Sequence, residues 1–324
     1  SRPGIGHGRS AMREPSFWQR LAGGATAMAG PLGGLIAAED GVVHYFADGV
    51  TKQAVTGLSG QAASPPIVLL HGASGNLRDL TLSLLPVLAQ RHRVIALDRP
   101  GFGHSSLVAG AQHLSVQARV LRRALRRLGH RRYHLVGHSY GGALALDWAL
   151  HHPREVLSLS LVSAVSMDWG GSLAPLYRIG RVPGLFQLAS QLATWAPDRL
   201  VSDTLAAVFA PAPVPAGYRD AAAVDLALRP ATFRLNQRQV NALHPQILAL
   251  MPRHCTLACP VTVIHGSEDE VVPATIHAAP LARRLSRATL DLIESAGHMP
   301  HHTHTAVVAD AIHRTVCQAI RTDA

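Results

Sequence analysis

Lysine is almost missing from this chain: of its 30 basic residues only Lys52 is a lysine, and the rest are arginine. A formal net charge of +10 over 324 residues would by itself suggest a nucleic acid or an anionic membrane surface as partner. A basic excess built from arginine alone, in an alanine-rich chain, reflects a compositional habit more than selection for polyanions. The densest basic stretch, Arg119, Arg122, Arg123, Arg126, Arg127, Arg131 and Arg132, mostly follows helical i, i+3, i+4 spacing. That is the pattern of a solvated helix face, and no aromatic residues interleave it to stack on bases. Nucleic acid is therefore not expected as a partner.

Cysteine is scarce as well. Cys255, Cys259 and Cys317 are too few for a disulfide framework and odd in number; Cys255 and Cys259 are close enough in sequence to pair, but the count fits a reduced compartment better. The expected localisation is cytoplasmic. No Cys-x-x-Cys spacing offers a metal site. Long apolar runs are lacking after residue 40. Before it, Leu21 to Ala38 carries no charge and follows Arg13 and Arg20, the charge order of a leader or anchor, which leaves membrane association or export as the alternative. Its glycines and Pro31 would make it a poor spanning helix. Residues 1–39 are thus expected to be a flexible extension or weak leader. Charged residues (15%) and aromatics (5%) are few, yet the apolar share of 48% supplies a core and excludes general disorder.

What the chain does have is alternation. Strand-like runs at Val42–Phe46, Ile67–Leu70, Val94–Leu97, Tyr133–Val136, Val156–Val162, Val261–Ile264 and Thr289–Ile293 alternate with helix-like stretches. The helical patterns fall at Leu77–Gln90, His113–Leu128, Ala143–Leu150, Ala274–Leu285 and Thr305–Ile320. Strands alternating with helices predict an α/β fold: a mostly parallel central sheet with helices on both faces. From residue 167 to 252 strand signals vanish and prolines recur, which predicts a helical cap made of short amphipathic helices. The core is expected in two parts, residues 40–166 and 253–324.

Between Tyr133–Val136 and the helix after it lies Gly137-His138-Ser139-Tyr140-Gly141-Gly142-Ala143. Gly-x-Ser-x-Gly at a strand-to-helix junction is a sharp turn. Glycines at its two ends tolerate the close approach that lifts the serine hydroxyl clear of the sheet. The amides that follow open a helix N-terminus, where a developing oxyanion is stabilised. Ser139 is therefore a candidate nucleophile. Asp269 follows the end of one later strand and His298 the end of the next, so both should reach the sheet edge that carries Ser139. His298 would then take the serine proton, with Asp269 holding its tautomer. Asp168, just after an earlier strand, is a rival acid. Near His298 stand His301, His302 and His304; such a cluster can coordinate a metal, but no carboxylate lies among them and no metal is expected.

Four segments together resemble the α/β-hydrolase fold superfamily, on its serine esterase and lipase side: Leu69-Leu70-His71-Gly72-Ala73, Leu97-Asp98-Arg99-Pro100-Gly101-Phe102-Gly103-His104-Ser105, the Ser139 turn, and Val263 to Asp269 with Ala296-Gly297-His298. The resemblance implies Ser139 as nucleophile, Asp269 as acid and His298 as base, with the backbone N–H groups of Ala73 and Tyr140 forming the oxyanion hole. It implies no cofactor. Haloalkane dehalogenases and epoxide hydrolases of this superfamily carry aspartate where Ser139 stands, which argues against those branches. The expected reaction is hydrolysis of a carboxylic ester, lactone or thioester through an acyl-enzyme. Cofactor-free haloperoxidase chemistry and carbon–carbon bond hydrolysis use the same triad and remain open. A non-catalytic binding protein is disfavoured because serine, acid, histidine and both glycines are all present. The expected partner is an apolar small-molecule ester, with weak membrane-surface association as a further expectation. Apolar residues of the cap, among them Trp169, Tyr177, Leu185, Phe186, Trp195, Phe209 and Phe233, are expected to shape specificity or to pack cap on sheet. The oligomeric state is not encoded in any of these features.

Overall fold

The computed structural model describes residues 30–38, 41–49, 64–171, 191 and 196–323. Eight strands form one sheet: β1 (Gly34–Ala38), β2 (Gly41–Asp48), β3 (Ile67–Leu70), β4 (Val94–Leu97), β5 (Tyr133–His138), β6 (Val156–Val162), β7 (Val261–Gly266) and β8 (Ala288–Ile293). Their spatial order is β1-β2-β4-β3-β5-β6-β7-β8. Pairing is antiparallel from β1 to β2 and from β2 to β4, and parallel across the rest. Parallel strands need crossover connections, and these put helices on both faces.

The central strands read as unbroken apolar runs because each face is buried. In β3, Val68 and Leu70 enter one apolar cluster while Ile67 and Leu69 enter another. The first cluster includes Leu121 and Leu125 of α3 (Leu114–Arg127) and Leu144 and Trp148 of α4 (Tyr140–His151). The second includes Leu80 of α1 (Leu77–Thr81), Leu85 of α2 (Leu84–Leu88) and Ile312 of α10 (Thr305–Asp323). Each fully buried leucine or isoleucine contributes roughly 1.5–3 kcal/mol. With one cluster on each face, the parallel strands all end at one edge of the sheet.

Three local features differ from the sequence expectation. The helix foreseen from Leu77 to Gln90 is two short helices, α1 and α2. Pro86 has no N–H for the carbonyl four residues back, and the Ser83 hydroxyl donates to the Asp79 carbonyl at 3.2 Å, so the first helix cannot run on. Residues 34–38, foreseen as part of the extension, form β1; their pairing with β2 satisfies a backbone whose glycines hid the strand pattern. The rest of the extension before residue 30 lies outside the described residues, as do Tyr177, Leu185, Phe186 and Trp195.

Between β6 and β7 the described helices are α5 (Asp198–Phe209), α6 (Tyr218–Ala221), a 3-10 turn at Val224–Leu228, α7 (Pro230–Leu250) and a 3-10 turn at Met251–Thr256. Prolines were expected to keep these helices short, yet α7 runs for 21 residues through Pro245. A proline in a helix interior costs about 3 kcal/mol. Leu235, Leu243, Ile247 and Leu250, all buried in the first apolar cluster, offset it. Two more helices complete the chain: α8 (Ala278–Arg284) before β8, and α9 (Pro300–Thr303) before α10. No helix among the described residues is long and apolar enough to cross a membrane. The three cysteines are free.

Candidate active site

β5 ends at His138, and Ser139 turns the chain with φ 53° and ψ −116° before α4 begins at Tyr140. That left-handed conformation costs a non-glycine residue on the order of 1–3 kcal/mol, and it persists only where its surroundings enforce it. Here they do. The Ser139 N–H donates to the Val162 carbonyl of β6 at 2.9 Å. A Cβ on Gly137 would strike the Gly141 backbone, and one on Gly141 would strike the carbonyls of Leu70 and His71. Ser74, Ser163 and Ser295, in the loops after β3, β6 and β8, are also held at positive φ. The strained residues gather at the same sheet edge, where the parallel strands end.

Asp269 follows β7 and His298 follows β8, and the two meet. His298 Nδ1 donates to Asp269 Oδ2 at 2.9 Å. The other oxygen, Oδ1, accepts from the N–H groups of Val271 (3.0 Å) and Val272 (2.8 Å), and His265 Nε2 lies 3.2 Å from Oδ2. Burial would raise the Asp269 pKa. The charge on His298 and the hydrogen bonds from His265, His298 and Val272 overcome that and hold the carboxyl well below the usual range. Gly266 allows this meeting, since a Cβ there would run into the carbonyls of Ala296 and Gly297. The rival acid Asp168 stands apart: half exposed, it pairs with His244 Nε2 on α7 at 2.8 Å. His298 is also beside the serine turn, because the ring of His138 lies 4.9 Å from its own. Ser139 and His298 are both largely buried, at 8% and 5% exposure.

The loop after β3 approaches from the other side. A Cβ on Gly72 would press on His138 Nδ1 at 3.0 Å and on the Ser139 Cβ at 3.3 Å, so glycine gives the roomiest approach there. Among the described residues, the N–H groups of Ala73 and Tyr140 donate to no protein oxygen, as donors kept for a ligand oxygen would be. Several residues that sequence reasoning passed over hold this loop. Buried Arg99 donates to the carbonyls of His71 (Nε, 3.1 Å) and Gly72 (Nη2, 2.9 Å). Its guanidinium also stacks 4.4 Å over the Tyr140 ring. His71 accepts from the Arg99 N–H at Nε2 (3.0 Å), so its Nδ1 carries the proton and donates to the Gly72 carbonyl at 2.9 Å. Burial and the Arg99 charge push the His71 pKa down to about 3, which keeps that tautomer neutral. Asn236 of α7 accepts from the Ser74 N–H at 3.0 Å and donates to its hydroxyl at 2.8 Å. No local motif marks Asn236, which lies 162 residues from Ser74.

The histidines after His298 do not converge with it. His301 and His302 both reach Asp79 of α1, at 3.1 and 2.7 Å, and His304 pairs with Thr303. Ligand atoms of Asp79, His138 and His301 lie within 4.8 Å of one another, close enough to share an ion. Protein donors already occupy the Asp79 oxygens, however, the Tyr218 hydroxyl among them at 2.7 Å. Phe209 packs on Tyr218 and His302, and Trp169 on His244 and His277, so these two aromatics act as packing.

Sheet order, serine turn and the Asp–His pair define a class, and comparison with known proteins agrees. Residues 65–305 match the α/β-hydrolase fold family, and the chain belongs to it. It is 31% identical over 263 residues to the 2-hydroxymuconate semialdehyde hydrolase of a Pseudomonas species, covering 79% of this chain and 88% of that one. It is 33% identical over 226 residues to the 2-hydroxy-6-oxo-2,4-heptadienoate hydrolase of Pseudomonas putida, covering 67% of this chain and 77% of that one. An α/β-hydrolase fold protein from Burkholderia ambifaria superposes with a TM-score of 0.71 at 22% identity, covering 88% and 98% of the two chains. The two Pseudomonas relatives are both named as hydrolases.

Proposed function

We propose that this protein is a serine hydrolase that attacks the carbonyl carbon of a carboxylic ester, lactone or thioester and passes through an acyl-enzyme. The observation that carries the reading is the 2.9 Å contact of His298 Nδ1 with Asp269 beside a serine held in a left-handed turn. In this reading His298 Nε2 accepts the Ser139 hydroxyl proton as Oγ bonds to the carbonyl carbon. Asp269 holds the Nδ1–H tautomer and stabilises the imidazolium. The Ala73 and Tyr140 N–H groups bind the oxyanion. Collapse of the tetrahedral species breaks the bond to the leaving oxygen or sulfur, which takes its proton from His298. Water, deprotonated by His298, then cleaves the acyl-enzyme. No metal or cofactor takes part in these steps. The helices between β6 and β7 are assigned the role of cap, since α7 grips the loop beside Ala73 through Asn236.

A second reading is favoured by the two Pseudomonas relatives, whose names specify 2-hydroxymuconate semialdehyde and a 2-hydroxy-6-oxo-dienoate as substrates. The same serine and histidine would then cleave a carbon–carbon bond next to a ketone. Burst kinetics with p-nitrophenyl esters of graded acyl length separate the two. A burst equal to the enzyme concentration, lost in Ser139→Ala, supports ester hydrolysis. Turnover of a 2-hydroxy-6-oxo-dienoate without any ester burst replaces it with carbon–carbon cleavage.

A further inference from the structure

One group of buried polar side chains has no part in the steps above. His138 immediately precedes Ser139 and is 4% exposed. Its Nε2 lies 3.0 Å from the main-chain carbonyl of His298. A carbonyl only accepts, so Nε2 carries the proton and Nδ1 keeps a lone pair, which has no partner among the described residues. On one face the His138 ring packs against His298 (4.9 Å) and on another against His301 (4.3 Å). His301 Nε2 in turn reaches Asp79 Oδ2, while His302 and the Tyr218 hydroxyl take Oδ1. Burial would raise the Asp79 pKa, but the charges and hydrogen bonds of His301 and His302 hold it well below the usual carboxylate range. Burial, with His301 and His298 nearby, keeps His138 neutral. The result is a continuous row from a buried carboxylate to the base: Asp79, His301, His138, His298.

We propose that Asp79, His301 and His138 are positioning residues for His298, a row that fixes the base against the serine and ties it to the oxyanion loop. This inference rests on His298 acting as the base in the reading above. The loop before His298 contains Ser295 at positive φ and Gly297; Ser267 Oγ accepts from the Ser295 N–H at 3.0 Å and the Ala296 carbonyl accepts from the Glu268 N–H at 2.9 Å, but neither holds the His298 main chain itself. The His138 hydrogen bond anchors the main chain of His298 itself, from the residue next to the nucleophile. Asp79 anchors both histidines of α9, the helix that starts two residues after His298. Asp79 also sits on α1, whose N-cap Asn76 closes the loop carrying Ala73. Movement of either loop is therefore felt by the other. A row of tilted ring contacts does this without placing a cation next to His298, where one would oppose formation of the imidazolium.

The test uses the full chain as wild type, His138→Phe, His138→Gln and Asp79→Asn. Phenylalanine keeps the ring but cannot donate, whereas the glutamine amide can reach the same carbonyl. Two readouts are taken: the rate of Ser139 phosphonylation by a p-nitrophenyl phosphonate, and the NMR resonance of the His298 Nδ1–H bonded to Asp269. The expected result is a 10–100-fold slower phosphonylation in His138→Phe, the effect of a misplaced base. His298 Nδ1–H should broaden in that variant, His138→Gln should recover to within about threefold of wild type, and Asp79→Asn should slow about tenfold. A folded His138→Phe with wild-type labelling and an unchanged resonance overturns the proposal. So does His138→Gln impaired as deeply as His138→Phe. Should His138→Phe not fold, wild-type rates in both His138→Gln and Asp79→Asn overturn it only if the resonance is also unchanged in Asp79→Asn, whereas loss of the resonance there supports it. Failure of the wild type to label at all counts against the serine-hydrolase reading instead, and the resonance still reports on the row.

Discussion

The parallel half of the sheet and the helical segment between β6 and β7 hold the candidate site by different means. Strands β3 to β7 are mainly apolar and buried, β8 buries Ile293 at its end, and Ser139, Asp269 and His298 follow where β5, β7 and β8 stop. The segment from Asp198 to Thr256 contributes none of those three. It reaches the site with polar atoms instead: Asn236 to Ser74, Gln239 to Arg99 at 2.6 Å, Thr232 to the Gly101 carbonyl at 3.0 Å, and Tyr218 to Asp79. Burial is cooperative and non-directional, so it sets where elements lie. Hydrogen bonds are directional and individually modest, so they set the fine pose of loops already in place.

Substitutions sharpen that division. In the strand half, Ser139→Ala should lower kcat by roughly 10⁶-fold, measured with whichever substrate shows a burst. Asp269→Asn should lower it by roughly 10⁴-fold through the wrong tautomer of His298, with a normal thermal midpoint. Equal activity of Asp269→Asn and wild type would mean that the acid lies elsewhere, and Asp168→Asn would then be the variant to measure. Leu121→Ala should cost about 2–5 kcal/mol in urea unfolding, because the leucine is fully buried between α3 and the sheet. Leu200→Ala on α5, 53% exposed, should stay within about 0.5 kcal/mol. A comparable loss at both positions would erase the distinction between the two regions.

In the helical segment, Asn236→Leu should lower kcat about tenfold, the equivalent of roughly 1.4 kcal/mol, with little change in stability. A loss confined to KM would move Asn236 from holding the loop to binding substrate. A pH-dependent effect concerns Glu155, which takes Arg122, Arg126 and the Tyr133 hydroxyl. Burial raises its pKa, but the Arg122, Tyr133 and Arg126 hydrogen bonds bring it down to about 2 from 4.5. A depressed folded-state pKa stabilises above the unfolded value, so this contribution is full above pH 4.5 and fades as pH falls toward 2. Glu155→Gln should therefore cost about 1 kcal/mol at neutral pH and converge with wild type in acid, as thermal unfolding at several pH values would register.

How much of this was readable beforehand depends on the range of the cause. Strand existence followed from four- to seven-residue apolar runs, and all seven foreseen strands formed. The serine turn was legible because three glycines at fixed spacing have one conformational use. The foreseen single helix at Leu77–Gln90 failed on a proline and a serine whose side-chain bond ends it locally. The long α7 was invisible because tertiary packing around Pro245 outweighs the missing N–H.

Sequence alone determined the α/β alternation and the turn that carries Ser139, since each depends on neighbours within a few residues. Tertiary structure decided that Asp269 and not Asp168 meets His298, that Asn236 holds the loop after β3, and that Asp79, His301 and His138 stand in a row behind the histidine. Apart from Asp269 with His298, these pairings join residues more than a hundred positions apart, and only the closed chain, with its apolar faces buried, fixes which polar groups face one another.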